Sequence, residues 1–545
     1  MDFDTLLLKC GNYGRYQFLL LIVYGFTNIM SSMHYFAQTI ISFTPEHWCN
    51  HELLENLTYT EIRTIYAQTE NPSCTLLDDI VNGTAVVSDF GECEEWIFKY
   101  ENGYESVTTD LKWICDSSVN GAIGQSFLYI GSVLGTIFFG FLADRVGRLP
   151  AMMLSTLIGA AGDFITSFVT TPQAFAAGRF ISGLSIDTLF YLTYIMVFEY
   201  LDPKKRTFGL NIMMTIFYCF GLLMSPWYAI WLGNWRRYLL VTSLPTLIVL
   251  IYPFFIVESA QWLATKGDYK GAVRCLKRVA KFNNRKVEES VFDEFISHYE
   301  EKMASQKKET KEKDTFIRLF RTPRLRKFII VLLIKSMIVT LSFDIISRNM
   351  EGFGSSPFLL FSLTSLSYIP AGFTIILLQN RIGRKGMACA SFFVGGIITA
   401  ATGILIALLD FKEHATIMGC MIGLARYVAV VSYEAEAQYA AEIIPTSVRG
   451  SGVANIHVVG YAFSFLSAYV IYLSAIFKPL PSILIAILML MGAALCLYLP
   501  ETLNKKLPET LLDGEYFCAD EKWYYFSCIS RKKKEEVPDV EITKL

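Results

Sequence analysis

Apolar residues in this chain gather into long runs separated by short polar breaks, and neither a two-residue nor a heptad alternation dominates. Twelve runs are long enough to cross a bilayer: 18–43, 120–142, 150–171, 174–198, 208–231, 237–257, 328–347, 358–379, 387–409, 416–439, 450–473 and 479–499. Crossing the hydrocarbon core takes about 20 residues of α-helix. Backbone groups inside lipid must bond to one another, so each run is read as a helix. The first run is too long for a signal peptide, has no basic stretch before it, and no small-residue cleavage site follows, so it is expected to remain as the first span. Composition agrees with a multi-pass membrane protein: 53% of the 545 residues are hydrophobic and mean hydropathy is +0.39. The net charge of −2 says less than its distribution.

Two long polar stretches interrupt the pattern. The first, 44–118, holds Cys49, Cys74, Cys93 and Cys115 together with two glycosylation sequons, at Asn56 and Asn82. Together they point to an oxidising, extracellular face. Four cysteines allow three pairings, and spacing does not choose among them; four free thiols are the alternative. The second stretch, 258–327, is rich in Lys and Arg, as are the loops "DRVGR", "DPKKR", "NRIGRKG" and "SVRG" and the tail "RKKKEE". If the spans alternate, all of these fall opposite the cysteines, and the positive-inside rule makes that side cytoplasmic. Both ends are then cytoplasmic. The expected units are 1–257, a linker 258–327, 328–499 and a tail 500–545. The basic runs read as topology determinants, with no nucleic-acid partner implied.

An Arg-x-Gly-Arg element follows the second span, as Asp144-Arg145-Val146-Gly147-Arg148, and recurs after the eighth, as Arg381-Ile382-Gly383-Arg384. Acids close the fourth and tenth spans, Glu199 and Glu442, the latter followed by Arg449. A parallel repeat of six spans is a transporter design. Asp144, Arg145, Arg148, Glu199, Arg381, Arg384, Glu442 and Arg449 are therefore candidate gating charges, able to break and reform between two states. No nucleotide-binding loop, zinc-protease helix, nucleophile elbow or metal-spaced cluster occurs, which argues against an enzyme, a pump driven by ATP, or a bound cofactor.

Several segments in order carry a closer likeness: "MDFDTLLLKCGNYGRYQ" at the start, "SFTPEHWC" at 42–49, "LKWICDSS" at 111–118, "ESAQWLATKGDYKGAV" at 258–273 and "LPETLNKKLPET" at 499–510. On these the sequence resembles the organic ion transporter family of the major facilitator superfamily, whose members carry organic cations, carnitine or organic anions. Gln379-Asn380, where an acid is usual, and Ala260-Gln261, where Pro-Arg is usual, depart from it. The resemblance implies twelve transmembrane helices in two six-helix repeats, a large extracellular loop after helix 1, and a central cavity lined by helices 1, 4, 7 and 10 with help from 11.

On those helices the ionisable residues read from the sequence are Asp187, Lys335, Asp344, Glu434 and Glu436. Intramembrane charges face the bundle interior and mark pathways. Their acidic excess favours a cationic or amine-bearing substrate, and Lys335 is the one cation read there for an anion exchanger. Asp187 has Tyr191 and Tyr194 at i+4 and i+7, which predicts aromatic rings beside the carboxylate and a site for an ammonium; a packing stripe beside a protonated Asp is the alternative. Glu434 and Glu436 diverge by about 200° around the helix. Glu434, next to Tyr433, is expected to line the cavity, and Glu436 to pair with a neighbouring helix or Lys335. Asp344 beside Phe343 is either a substrate group or an ion-pair partner of Arg348. The resemblance places Tyr461 where cation carriers often have Asp and anion carriers Arg. These residues predict a plasma-membrane transporter of organic cations or amine-bearing zwitterions. An organic anion exchanger and a non-transporting receptor are the rivals. The terminal Thr543-Lys544-Leu545 fits a PDZ-type ligand.

Overall fold

A computed structural model of the chain describes residues 3–527 apart from 12–13, 67–68, 70–72, 82–83, 88–92, 202, 307–315, 351–355, 410–413, 447, 506, 509, 519–520 and 523. Eleven helices are long and apolar enough to span a membrane. They are α1 (Arg15–Ile41), α2 (Val119–Val146), α3 (Arg148–Thr166), α4 (Pro172–Glu199), α5 (Pro203–Leu232), α6 (Trp235–Phe255), α7 (Pro323–Arg348), α8 (Pro357–Ile382), α9 (Arg384–Leu408), α10 (Ala415–Ile443) and α11 (Ser451–Tyr472). The twelfth expected span is the shorter helix α12, Leu480–Cys496. Helix α6 passes through a 3₁₀ run at Leu244–Ile251, where Pro245 removes a backbone donor.

Small residues set the closest helix crossings. A Cβ at Gly131 would strike the Phe180 carbonyl, one at Gly135 the Leu184 carbonyl, and one at Gly183 the Leu128 carbonyl, so α2 and α4 meet backbone to backbone. In lipid, where association is not driven by the hydrophobic effect, this close packing holds helices together.

The 42–118 segment is not helical throughout, a correction to the purely α expectation. Strands β1 (His47–Cys49) and β4 (Trp96–Phe98) pair antiparallel, as do β2 (Leu77–Val81) and β3 (Thr84–Val87). Trp48, Leu54, Ile62, Tyr66 and Leu77 form a small core there. That core is too small to hold the segment alone, and two disulfides, Cys49–Cys93 and Cys74–Cys115, tie it. They settle the pairing that spacing left open. Asn56 is exposed; Asn82 and Thr543-Lys544-Leu545 lie outside the described residues.

The linker and tail pack back onto the bundle. Asn283, after the helix Tyr269–Phe282, accepts from Tyr16 N at 2.8 Å and donates to Cys10 O at 3.2 Å, binding the linker to the start of α1. Glu515 in the tail accepts from Arg324 N and Leu325 N at 2.9 Å each, an anion seated at the positive N-terminus of α7.

Buried charge also fixes helix positions. Lys335 on α7 is ion-paired with Glu436 on α10, and both are buried. Removing one partner of such a pair leaves a stranded charge and costs about 3–5 kcal/mol, whereas an apolar replacement of both can be neutral. Lys335→Met alone is therefore expected to lower the thermal unfolding temperature of the detergent-solubilised protein markedly, and Lys335→Met with Glu436→Met to recover most of that loss. Thermal unfolding of the three proteins checks this; equal loss in the single and double variants contradicts it.

Candidate functional site

Most of the buried charge in the bundle is neutralised locally. Asp163 on α3 receives Arg179 of α4, Ser182 Oγ at 2.6 Å and His34 Nδ1 at 3.0 Å. Glu436 holds Lys335. Asp344 is bound by Arg348 Nε at 2.7 Å and by the hydroxyls of Tyr129 and Tyr35. Of the two readings open for Asp344, the structure shows the ion pair: the carboxylate is fully buried and already matched by a cation.

Asp187 and Glu434 differ. Asp187, about midway along α4, accepts from Ser132 Oγ of α2 at 2.5 Å and faces the Tyr461 hydroxyl of α11. Glu434 is half-buried on α10. Among the described residues, no Lys, Arg or His pairs with either carboxylate. Around them the two six-helix groups, α1–α6 and α7–α12, contribute a continuous set of rings. Phe343 packs on Tyr433 at 5.3 Å and Tyr368 at 6.3 Å, Tyr368 on Tyr218 at 5.7 Å, and Tyr461 on Tyr35 at 6.2 Å between centroids. The Tyr433 and Tyr461 hydroxyls face each other. Asp187, Phe343, Tyr433, Glu434 and Tyr461 are thus brought to one region.

On α4 itself, Tyr191 is 37% exposed and has Asp144, Arg148 and Tyr194 among its neighbours. Tyr194 stacks on Phe190 and Phe198 at 6.4 and 5.8 Å and approaches Tyr24 at 6.2 Å. Both residues keep to one side of α4, but each turn displaces the ring by about 5.4 Å along the axis. The Tyr461 ring that faces Asp187 comes from α11, which periodicity within α4 could not reveal.

The reading of Lys335 as the one cation on these helices is also corrected. Arg179 on α4 and Arg426 on α10 are both buried. Arg426 lies in the apolar stretch "GLARYVAVV", and its signal was legible: one arginine seven residues before Tyr433.

At the ends of the helices away from the disulfide-bonded segment, one constellation occurs twice. Arg148 donates to Asp144 at 2.7 Å and stands 3.8 Å from Glu199, while Glu258 accepts from Arg148 N at 2.9 Å and Leu149 N at 3.1 Å. Arg384 contacts Asn380 at 2.8 Å and Glu442 at 3.0 Å, while Glu501 accepts from Arg384 N at 2.9 Å. Gly147 and Gly383 have φ of 119° and 93°, a conformation open to glycine, and a Cβ at either would strike the capping glutamate. Glu258 and Glu501 were not singled out by sequence. Arg145 lies over the Phe141 ring at 4.2 Å, Arg381 is exposed, and Arg449 donates to Ile444 O at 3.2 Å.

Contacts between the two six-helix groups gather near the disulfide-bonded segment. They include Arg348 to Thr39 at 2.6 Å, Gln125 to Ser467 at 3.0 Å, Ser126 to Phe465 O at 3.1 Å and Ser362 to Leu223 O at 3.2 Å.

Comparison with known proteins agrees with this architecture. Residues 79–511 match the family model described as "Sugar (and other) transporter". An organic cation transporter-like protein of Drosophila melanogaster is 26% identical over 533 residues, covering 95% of this chain and 93% of its own. Organic anion transporter 3 of Oryctolagus cuniculus is 27% identical over 558 residues, covering 99% and 97%. Among solved structures, the proton:xylose symporter XylE bound to 6-bromo-6-deoxy-D-glucose superimposes with a TM-score of 0.56 at 14% identity, covering 90% of this chain and 98% of that one, a likeness of fold. The chain belongs to the sugar (and other) transporter family, and relatives matched over nearly its full length are named organic cation and organic anion transporters.

Proposed function

We propose that the protein moves small organic cations or amine-bearing zwitterions across the plasma membrane by alternating access, with Asp187 as the counter-charge for the substrate amine. The observation behind this reading is that Asp187 is a half-buried carboxylate near the membrane midplane with hydroxyl partners only. Transporter sites lie at that depth. A substrate ammonium supplies the missing charge, and the rings of Phe343, Tyr433 and Tyr461 offer cation–π faces next to it. Glu434 is the second carboxylate of the site.

In this reading the disulfide-bonded segment is extracellular and both termini are cytoplasmic. The inter-group contacts through Arg348, Gln125 and Ser126 then close the outer side. The Arg148 and Arg384 clusters, each internal to one six-helix group, act in the cycle at the inner side. Phe343 and Tyr461 shape the site, and Asp344 belongs to the outer closure. Transport of organic anions is the second reading, favoured by buried Arg426.

Three outcomes test this. Asp187→Asn keeps size and removes charge; it is expected to abolish amine uptake while the protein still reaches the surface, measured as radiolabelled amine uptake normalised to surface protein. Normal uptake by that variant refutes the site. Glu434→Gln is expected to weaken cationic ligands by about 5- to 150-fold, the value of a lost close charge contact, and neutral ligands much less. Equal losses in a competition assay would make Glu434 a packing residue. Arg148→Ala is expected to slow turnover strongly and leave equilibrium affinity within a few-fold; a variant that loses binding yet still cycles contradicts the gating role.

A further inference from the structure

The linker helix Tyr269–Phe282 has two unlike faces. One is apolar: Leu276, Val279 and Ala280 are buried in one core with Leu6, Leu7 and Ala260. On the other, Lys270, Arg274, Arg278 and Lys281 recur at steps of four and three residues, which keeps them within about 80° around the axis. All four are exposed. Lys277, at the edge of this face, is paired with Glu289. Among the described residues, no acid pairs with the other four.

This basic face meets the bundle at the rim of α1 and α6. Arg278 Nη2 donates to Phe254 O at 2.5 Å, in the last turn of α6. The Tyr16 hydroxyl at the start of α1 accepts from Val257 N at 3.2 Å, and its ring packs on Phe282 at 5.9 Å. The ends of α1, α6 and the linker helix are thereby held together. Phe254 and Phe255 are 72% and 52% exposed. Exposed apolar rings in the last turn of a span face lipid, so a cation bonded to that turn stands at headgroup level.

A cation that serves only to set topology needs no partner but water. Several cations on one helix face, without acids and beside lipid-facing rings, match an anionic headgroup whose acyl chains lie along those rings. Successive cations at four-residue steps stand about 6 Å apart along the axis. That spacing suits two or more phosphates on one headgroup, whereas a headgroup with one phosphate meets one cation at a time.

We infer that this rim binds an anionic phospholipid with a multiply phosphorylated headgroup. Arg274, Arg278 and Lys281 hold the phosphates, and Phe254 and Phe255 receive the acyl chains. The bound lipid ties the linker to α1 and α6. Ala260, in the core beneath the linker helix, lies two residues after Glu258, which caps α3 at Arg148. The lipid therefore steadies the charge cluster of the first six-helix group. The leaflet is the cytoplasmic one in the orientation proposed above; the binding itself depends neither on that orientation nor on the choice of substrate.

The test uses purified full-length protein in detergent micelles, which have no sidedness. Equilibrium binding is measured for phosphatidylinositol bisphosphate, phosphatidylserine, phosphatidylcholine, free inositol trisphosphate and a hexaglutamate peptide. The bisphosphate lipid is expected to bind at least about ten-fold more tightly than phosphatidylserine, and phosphatidylcholine more weakly still. Arg274→Gln, Arg278→Gln and Lys281→Gln together should weaken the bisphosphate lipid at least about ten-fold. Lys266→Gln, Lys277→Gln and Lys286→Gln together remove the same charge outside this set and should change it by less than about three-fold. Because Arg278 also bonds to α6, Arg274→Gln with Lys281→Gln is measured as well, with a loss of about three-fold or more expected. Equal losses in the two triple variants, no loss in the double variant, or equal affinity for the bisphosphate lipid and phosphatidylserine overturns the inference. Inositol trisphosphate or hexaglutamate binding as tightly as the lipid overturns it in favour of a soluble anion or an acidic protein segment.

Discussion

A charge inside a hydrocarbon layer has to be met by another charge, by water or by a ligand, and the arrangement of this bundle follows from that requirement. Asp163 with Arg179, Glu436 with Lys335, and Asp344 with Arg348 satisfy it within the protein. Each pair fixes local geometry. The first joins α3 to α4, the second joins α7 to α10, and the third cross-links α7 to α1 and α2 through Tyr35, Tyr129 and Thr39. Asp187, Glu434 and Arg426 have no such partner among the described residues. That subtraction needs the three-dimensional partners of every charge, because a single helix shows a charge without showing what meets it.

The same logic operates at the helix ends. Glu258 and Glu501 cap the starts of α3 and α9, and glycines with positive φ let each carboxylate approach. The glutamates neutralise the first amide groups of helices whose first residues, Arg148 and Arg384, also reach Glu199 and Glu442. Each cluster therefore couples three elements through short polar contacts. Such clusters favour discrete arrangements over continuous deformation.

Much of this was legible in the chain and some was not. The spans, the Arg-x-Gly-Arg elements and the divergence of Glu434 from Glu436 follow from run length, sequence recurrence and helical angle. The Lys335–Glu436 contact was anticipated because both charges sit in apolar runs. Periodicity puts Tyr191 and Tyr194 on the side of α4 that carries Asp187, but the Tyr461 and Tyr433 rings reach it from α11 and α10, which no single-helix pattern reveals. Arg426 lies between the apolar neighbours "GLA" and "YVAVV", so run length does not single it out, and its missing counter-ion appears in the tertiary structure alone. The disulfide pairing required the tertiary path of the segment between α1 and α2.

The central claim is that carboxylates without a cationic partner, in an aromatic, half-dry site, select a positive charge. Comparing the affinity of the wild-type protein for choline and for 3,3-dimethylbutanol measures it most directly. The two molecules share size and shape and differ by one charge. The account predicts that choline binds at least about ten-fold more tightly, the lower end of what one close charge contact contributes in a partly desolvated site. Equal affinities would mean that Asp187 and Glu434 do not act as the counter-charges of the substrate.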